Sequence, residues 1–192
     1  NCVSETLYPS MLQFLQFKTF GRHKIPDGWI VVCAGNPPEY NRSVYDFDVV
    51  TLDRLRKIAV EPDLGAWRAY ALKTSVHPAV LSYLEVKPDH FYSVESTPDG
   101  KSFITARGWD DLSRIIKLHE LKGKPVDRAL VDQFLQDDSI AERFAQYYLL
   151  FTKYRSDYQI ASILAGNAPD EIKERARAAR FDERLALARL IL

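Results

Sequence analysis

The sequence has little of what builds covalent or metal-held scaffolds. Cys2 and Cys33 are the only cysteines among 192 residues, and neither lies in a CxxC or Cys/His pattern. No disulfide framework is supported, and two reduced, buried thiols of a cytoplasmic protein are the expected state. The four histidines, His23, His77, His90 and His119, show no HxxxH spacing, so no metal site is expected. No apolar run approaches the roughly 20 residues of a membrane helix, which argues against a membrane partner. An excess of one charge is missing too: lysine plus arginine and aspartate plus glutamate stand at 26 each. That neutral balance argues against nucleic acid, for which Lys18, Arg22, His23 and Lys24 are the only clustered candidates. Glycine is scarce, and no GxxxxGK[ST] phosphate loop occurs. Nor does an apolar strand end in Asp-Glu, as a magnesium-holding strand would. What remains is ordinary for a globular chain, 46% apolar and 27% charged, long enough for one core or two small domains.

The stretch "GWIVVCAGNPPEYN", Gly28 to Asn41, is the sharpest local signal. Five apolar residues, Ile30 to Ala34, run into Gly35-Asn36-Pro37-Pro38. A short continuous apolar run bounded by turn residues predicts a central strand of a parallel sheet. Pro37 biases Asn36 toward extended geometry, which puts its carboxamide at the strand tip. Open α/β sheets bind ligands at such tips. The plainer alternative is that Asn36-Pro37-Pro38 is only a turn.

Around this strand the pattern is mixed at first and helical later. Ser4 is a candidate cap for a helix with Leu7, Met11, Phe14 and Leu15 on one face and Pro9 in its first turn. A short hairpin is expected near Gly21-Arg22. After a polar loop, a short helix around Leu52-Asp53-Arg54 leads to a strand with Ile58 and Val60 on one face. Glu61-Pro62-Asp63 marks a boundary. Helices then follow at Leu64 to Ser75, with Trp67, Tyr70 and Ala71 inward, and from Pro78 to Glu85. A hairpin is expected where Thr97-Pro98-Asp99-Gly100 joins two β-rich runs. Thr105 should cap a helix to Leu121, with Leu112, Ile115, Ile116 and His119 on one face. From Val126 to Leu192 the chain reads as helical, with breaks near Asp137, Gly166-Asn167 and Phe181. It starts without methionine and ends within an amphipathic pattern, so it reads as part of something longer.

Three polar residues fall where a nucleotide machine would use them. Asn36 ends the expected strand, Arg54 follows Asp53, and Arg107 sits in the first turn of a helix. A cation there faces the positive end of the helix dipole and costs roughly 0.3–1 kcal/mol. A bound anion would reverse that cost. The plainer reading pairs Arg107 with Asp110 or Asp111.

Together these segments resemble the second half of a MoxR-type AAA+ ATPase, a relative of the magnesium-chelatase ATPase subunit. "NCVSETLYPSMLQFLQF" resembles the helix after the acidic Walker B strand, and "GWIVVCAGNP" the sensor-1 strand with Asn36 in the sensor position. "VVTLDRL" is similar to the family's "LDRF" motif and puts Arg54 at the arginine-finger position. "TARGWDDL" resembles the sensor-2 segment, with Arg107 as its arginine, although the family usually shows Ser-Pro-Arg there. The resemblance spans about Asn1 to Leu121.

It implies an α/β partial AAA+ core, the parallel-sheet half, over residues 1–62. A mainly α-helical lid with a β-hairpin would follow over 63–124, and an all-α extension over 125–192. It also implies ATP and Mg2+ as cofactors of the intact parent, with Asn36 and Arg107 at the nucleotide and Arg54 reaching a neighbour. A hexameric ring and a partner bearing a von Willebrand factor A domain come with it. This chain alone should be inactive, because the phosphate loop is not in it. The alternative expectation is a non-catalytic helical interaction module.

Overall fold

The computed structural model describes residues 5–35, 49–97, 100–180, 183–184, 187–188 and 191. It is mainly helical, at 59% helix, with two small antiparallel sheets. By its internal contacts the chain divides into two compact units, Asn1–Val60 and Glu61–Leu192.

In the first unit a 3-10 turn, Glu5–Leu7, runs into α1, Tyr8–Phe17. Leu7 is the N-cap residue and gives no side-chain hydrogen bond, while Pro9 sits in the first turn, where a missing N–H costs little. Ser4, the expected cap, lies outside the described residues. Lys18 ends the helix in the left-handed region at φ 55°, its N–H donating to Phe14 O. The expected hairpin follows: β1, Thr19–Phe20, pairs antiparallel with β2, His23–Lys24. Gly21 makes the turn at φ 59°, a conformation that glycine adopts without strain.

Residues 30–34 then depart from expectation. They form no strand, and Ile30 and Val32 are 83% and 87% exposed. Ile58 and Val60 are likewise exposed and outside any strand. The parallel-sheet half expected for residues 1–62 is therefore not formed among the described residues. A strand needs neighbours for its N–H and C=O groups, and among the described residues the only ladder in this unit is the two-residue hairpin. Cys33, expected to be buried, is exposed with its neighbours. α2, Val49–Leu52, is a single turn that stops before Asp53 and Arg54.

The second unit is built on capped helices. Asp63 caps α3, Leu64–Lys73, by accepting from Ala66 N at 2.6 Å. Trp67 and Ala71 face inward as expected, but Tyr70 is largely exposed. α4, Pro78–Val86, has proline in its first turn. β3, Ser93–Thr97, and β4, Gly100–Ile104, form the expected hairpin, in register from Ser93 opposite Ile104 to Thr97 opposite Gly100. α5, Ala106–Leu121, and α6, Arg128–Val131, follow. Asp137 caps the long α7, Asp138–Asp157, and α8, Ile160–Leu164, and α9, Asp170–Ala178, follow.

Its core brings Val80, Tyr83 and Leu84 of α4 together with Trp109, Leu112 and Ile116 of α5 and Phe144, Tyr148 and Phe151 of α7. It draws on residues from both sides of position 124. Each such side chain contributes about 1.5–3 kcal/mol on burial. Trp109 is fully buried, and its Nε1–H is shared between the carbonyls of His90 and Phe91 at 3.2 Å each. A smaller cluster of Tyr158, Ile160, Ile172 and Leu187 ties α8 and α9 together. Among the described residues no helix is long and apolar enough to cross a membrane.

Candidate functional site

The three residues singled out in the sequence have different fates. Asn36 lies outside the described residues, and the segment leading to it is exposed as far as Gly35. Arg54 stands in the turn after α2, exposed, with its guanidinium against the Gln16 amide of α1. An amide can meet a guanidinium only through its oxygen. So oriented, Gln16 accepts from Arg54 Nε at 2.5 Å and from Nη2 at 3.2 Å.

Arg107 belongs to the second unit, in the first turn of α5. Thr105 holds that turn as expected, its Oγ1 accepting from Gly108 N at 3.1 Å. The carboxylates of the plainer reading, Asp110 and Asp111, are engaged elsewhere. Asp110 accepts from Arg114 Nη2 at 2.6 Å and from the Tyr70 hydroxyl at 3.4 Å, and Asp111 lies 3.5 Å from Arg114 Nη1. Their spacing explains this, since Asp110 and Arg114 are four residues apart on one helix face. Arg107 is left exposed, with no hydrogen bond or ion pair among the described residues. It is a free cation at the positive end of a 16-residue helix. Arg54 belongs to the first unit and Arg107 to the second, and Asn36 lies outside the described residues.

A fourth constellation was missed in the sequence. His77 precedes Pro78 as the N-cap residue of α4, and its Nδ1 accepts from Ala79 N at 3.1 Å. Its backbone N–H donates to the buried Ser113 Oγ of α5 at 2.8 Å. The ring is 3% exposed and packs against Tyr148 and Phe151 of α7, with ring centres 6.0 and 5.9 Å away. Nε2 lies 3.3 Å from Glu120 Oε1, off the line of a hydrogen bond, and has no other partner. The same Oε1 accepts from the Tyr148 hydroxyl at 3.1 Å and stands 3.6 Å from Arg155 Nη1. Burial pushes the His77 imidazole below its usual range, against the pull of Glu120. Burial and the Glu120 charge both push the Tyr148 phenol up. Only the dipeptide His77-Pro78, a polar cap before a helix-starting proline, marks this site in the sequence.

Glu120 and Arg155 also line an open groove of about 370 Å³, with Thr152, Ser156, Gln159 and Ile160. Gln159 adopts the left-handed region at φ 45° and breaks α7 from α8. Among the described residues no three His, Cys, Asp or Glu side chains converge as metal ligands. Comparison of the chain with known protein families, with characterised proteins and with solved structures finds no match.

Proposed function

We propose that this chain is the C-terminal part of a MoxR-type AAA+ ATPase, which couples ATP hydrolysis to remodelling of a partner protein. The observation that carries this reading is the order and spacing of four segments: "NCVSETLYPSMLQFLQF", "GWIVVCAGNP", "VVTLDRL" and "TARGWDDL". In it Asn36 serves as sensor 1, Arg54 as the arginine finger of a hexameric ring, and Arg107 as sensor 2. The free guanidinium of Arg107 at a helix N-terminus supports it, because that geometry favours an anion such as a nucleotide phosphate. So do the exposed Ile30, Val32, Ile58 and Val60, apolar positions that a completed parallel sheet would cover.

The residues present fit only part of a nucleotide site. The loop and lysine that cradle phosphates, and the acids that hold Mg2+, are not in this sequence. The parent protein would supply them, and a von Willebrand factor A domain protein is the partner this reading carries with it. A non-catalytic helical interaction module is the second reading, favoured by the Gln16 amide that already occupies Arg54.

The test is ATP turnover by the protein extended through its preceding coding sequence. Asn36→Ala should leave nucleotide binding largely intact and cut turnover, because a water-positioning amide acts mainly in the transition state. Equal loss of both would make Asn36 a turn former. No nucleotide effect in the extended protein would leave the interaction module standing.

A further inference from the structure

We propose that His77 is an acid-sensitive latch in the second unit, holding α4 against α5 and α7 while its ring is neutral and releasing the first turn of α4 when protonated. The structure assigns the neutral tautomer. Nδ1 accepts from Ala79 N, so it carries no proton, and the ring hydrogen is on Nε2. Uptake of a proton from solvent would put N–H at Nδ1, facing the N–H of Ala79, and the cap would be lost.

The groups around the ring do not offset that loss. Among the described residues Glu120 of α5 is the one anion facing it, and its Oε1 is already shared with the Tyr148 hydroxyl and Arg155 of α7. Arg155 and Lys117 of α5 oppose a second cation. Desolvation of the ring outweighs the attraction of Glu120. Glu120 borders the groove, so the carboxylate beside the ring stays in reach of water. The ring also stands where three helices meet: it starts α4, its backbone is held by Ser113 of α5, and it packs on Tyr148 and Phe151 of α7. This proposal is independent of the ATPase reading.

The sign follows from linkage. The imidazole binds a proton less readily in the folded than in the unfolded chain. Stability is therefore full above the unfolded value near 6.5 and falls as pH drops below it.

His77→Asn tests it, because Asn caps a helix well and does not titrate in this range. Between pH 7.5 and 5.5 the thermal midpoint of the wild-type chain should fall about 2–4 °C further than that of His77→Asn. Amide exchange at Ala79 and Val80, corrected for its intrinsic pH dependence, should quicken about fivefold in the wild type alone, the factor a lost cap carries. An equal acid effect in His77→Asn would overturn the latch. Ring ¹⁵N shifts of the wild-type protein give a reading that does not depend on the variant folding. His77 should keep its Nε2–H tautomer to below pH 6.5, and a ring that titrates at or above that value would also overturn it.

Discussion

Gly108 lies so close to Phe134 that a Cβ added to it would stand 2.6 Å from the Phe134 carbonyl oxygen. The obstacle is backbone, which does not swing aside as a side chain would. Alanine is worth up to about 1 kcal/mol more than glycine within a helix, but overpacking costs about 1–3 kcal/mol. Overlap should win here. Gly108→Ala should lower the unfolding free energy by about 1 kcal/mol, measured by urea denaturation. A gain in stability would mean that the loop at Phe134 yields readily.

Asp137 joins two elements through one carboxylate. Its Oδ1 accepts from Ile140 N at 2.9 Å to cap α7, and its Oδ2 accepts from Ser102 Oγ of β4 at 2.9 Å. Asp137→Ala removes both bonds and should cost about 1–3 kcal/mol, whereas Ser102→Ala should cost only about 0.5–1.5 kcal/mol. Denaturation of the two single variants and the double variant checks this. The double variant should cost no more than Asp137→Ala alone, and additive losses would mean that the Ser102–Asp137 bond contributes nothing.

Arg107 should behave in the opposite way. It pairs with nothing among the described residues and opposes the dipole of α5. Arg107→Ala should therefore raise stability, by about 0.3–1 kcal/mol, and, if the proposed ATPase reading holds, weaken the nucleotide response of the intact parent. A loss of stability would show a structural role that the geometry does not display.

Several of these features were legible in the sequence because they are local. The boundary at Glu61-Pro62-Asp63, the cap Thr105 and the hairpin of β3 and β4 follow from turn and cap chemistry within a few residues. The strand expected at 30–34 was not of this kind, since an apolar run becomes a strand only when neighbours take up its backbone groups. The break between α7 and α8 falls at Tyr158-Gln159, with neither glycine nor proline to signal it. His77 read as one scattered histidine, because its partners Ser113, Glu120 and Tyr148 are 36 or more residues away. Arg54 was legible as a motif, but its contact with Gln16 of α1 was not, being set by tertiary packing.

The chain by itself should bind no ATP at micromolar concentration. Backbone N–H groups of a phosphate loop and its lysine provide most of the contacts to the β- and γ-phosphates, and neither is in the sequence. Calorimetric titration with ATP and magnesium checks this. A stoichiometric site would reveal a phosphate cradle of another kind.

Arg54 separates the finger reading from the structural one. If it reaches a neighbour's γ-phosphate, Arg54→Ala in the intact parent should leave nucleotide binding unchanged while turnover falls roughly 10³–10⁵-fold. If it serves only to hold α1 through Gln16, Gln16→Ala should reproduce the Arg54→Ala effect, and both should cost about 0.5–1.5 kcal/mol of stability. Mixing adds a second discrimination. A parent variant lacking the phosphate-loop lysine keeps Arg54, and Arg54→Ala keeps the loop, so neither should hydrolyse ATP alone. In mixed rings some interfaces join an intact loop to an intact finger, and part of the activity should return. Mixed rings that form yet stay inactive would show that Arg54 does not act across a subunit boundary.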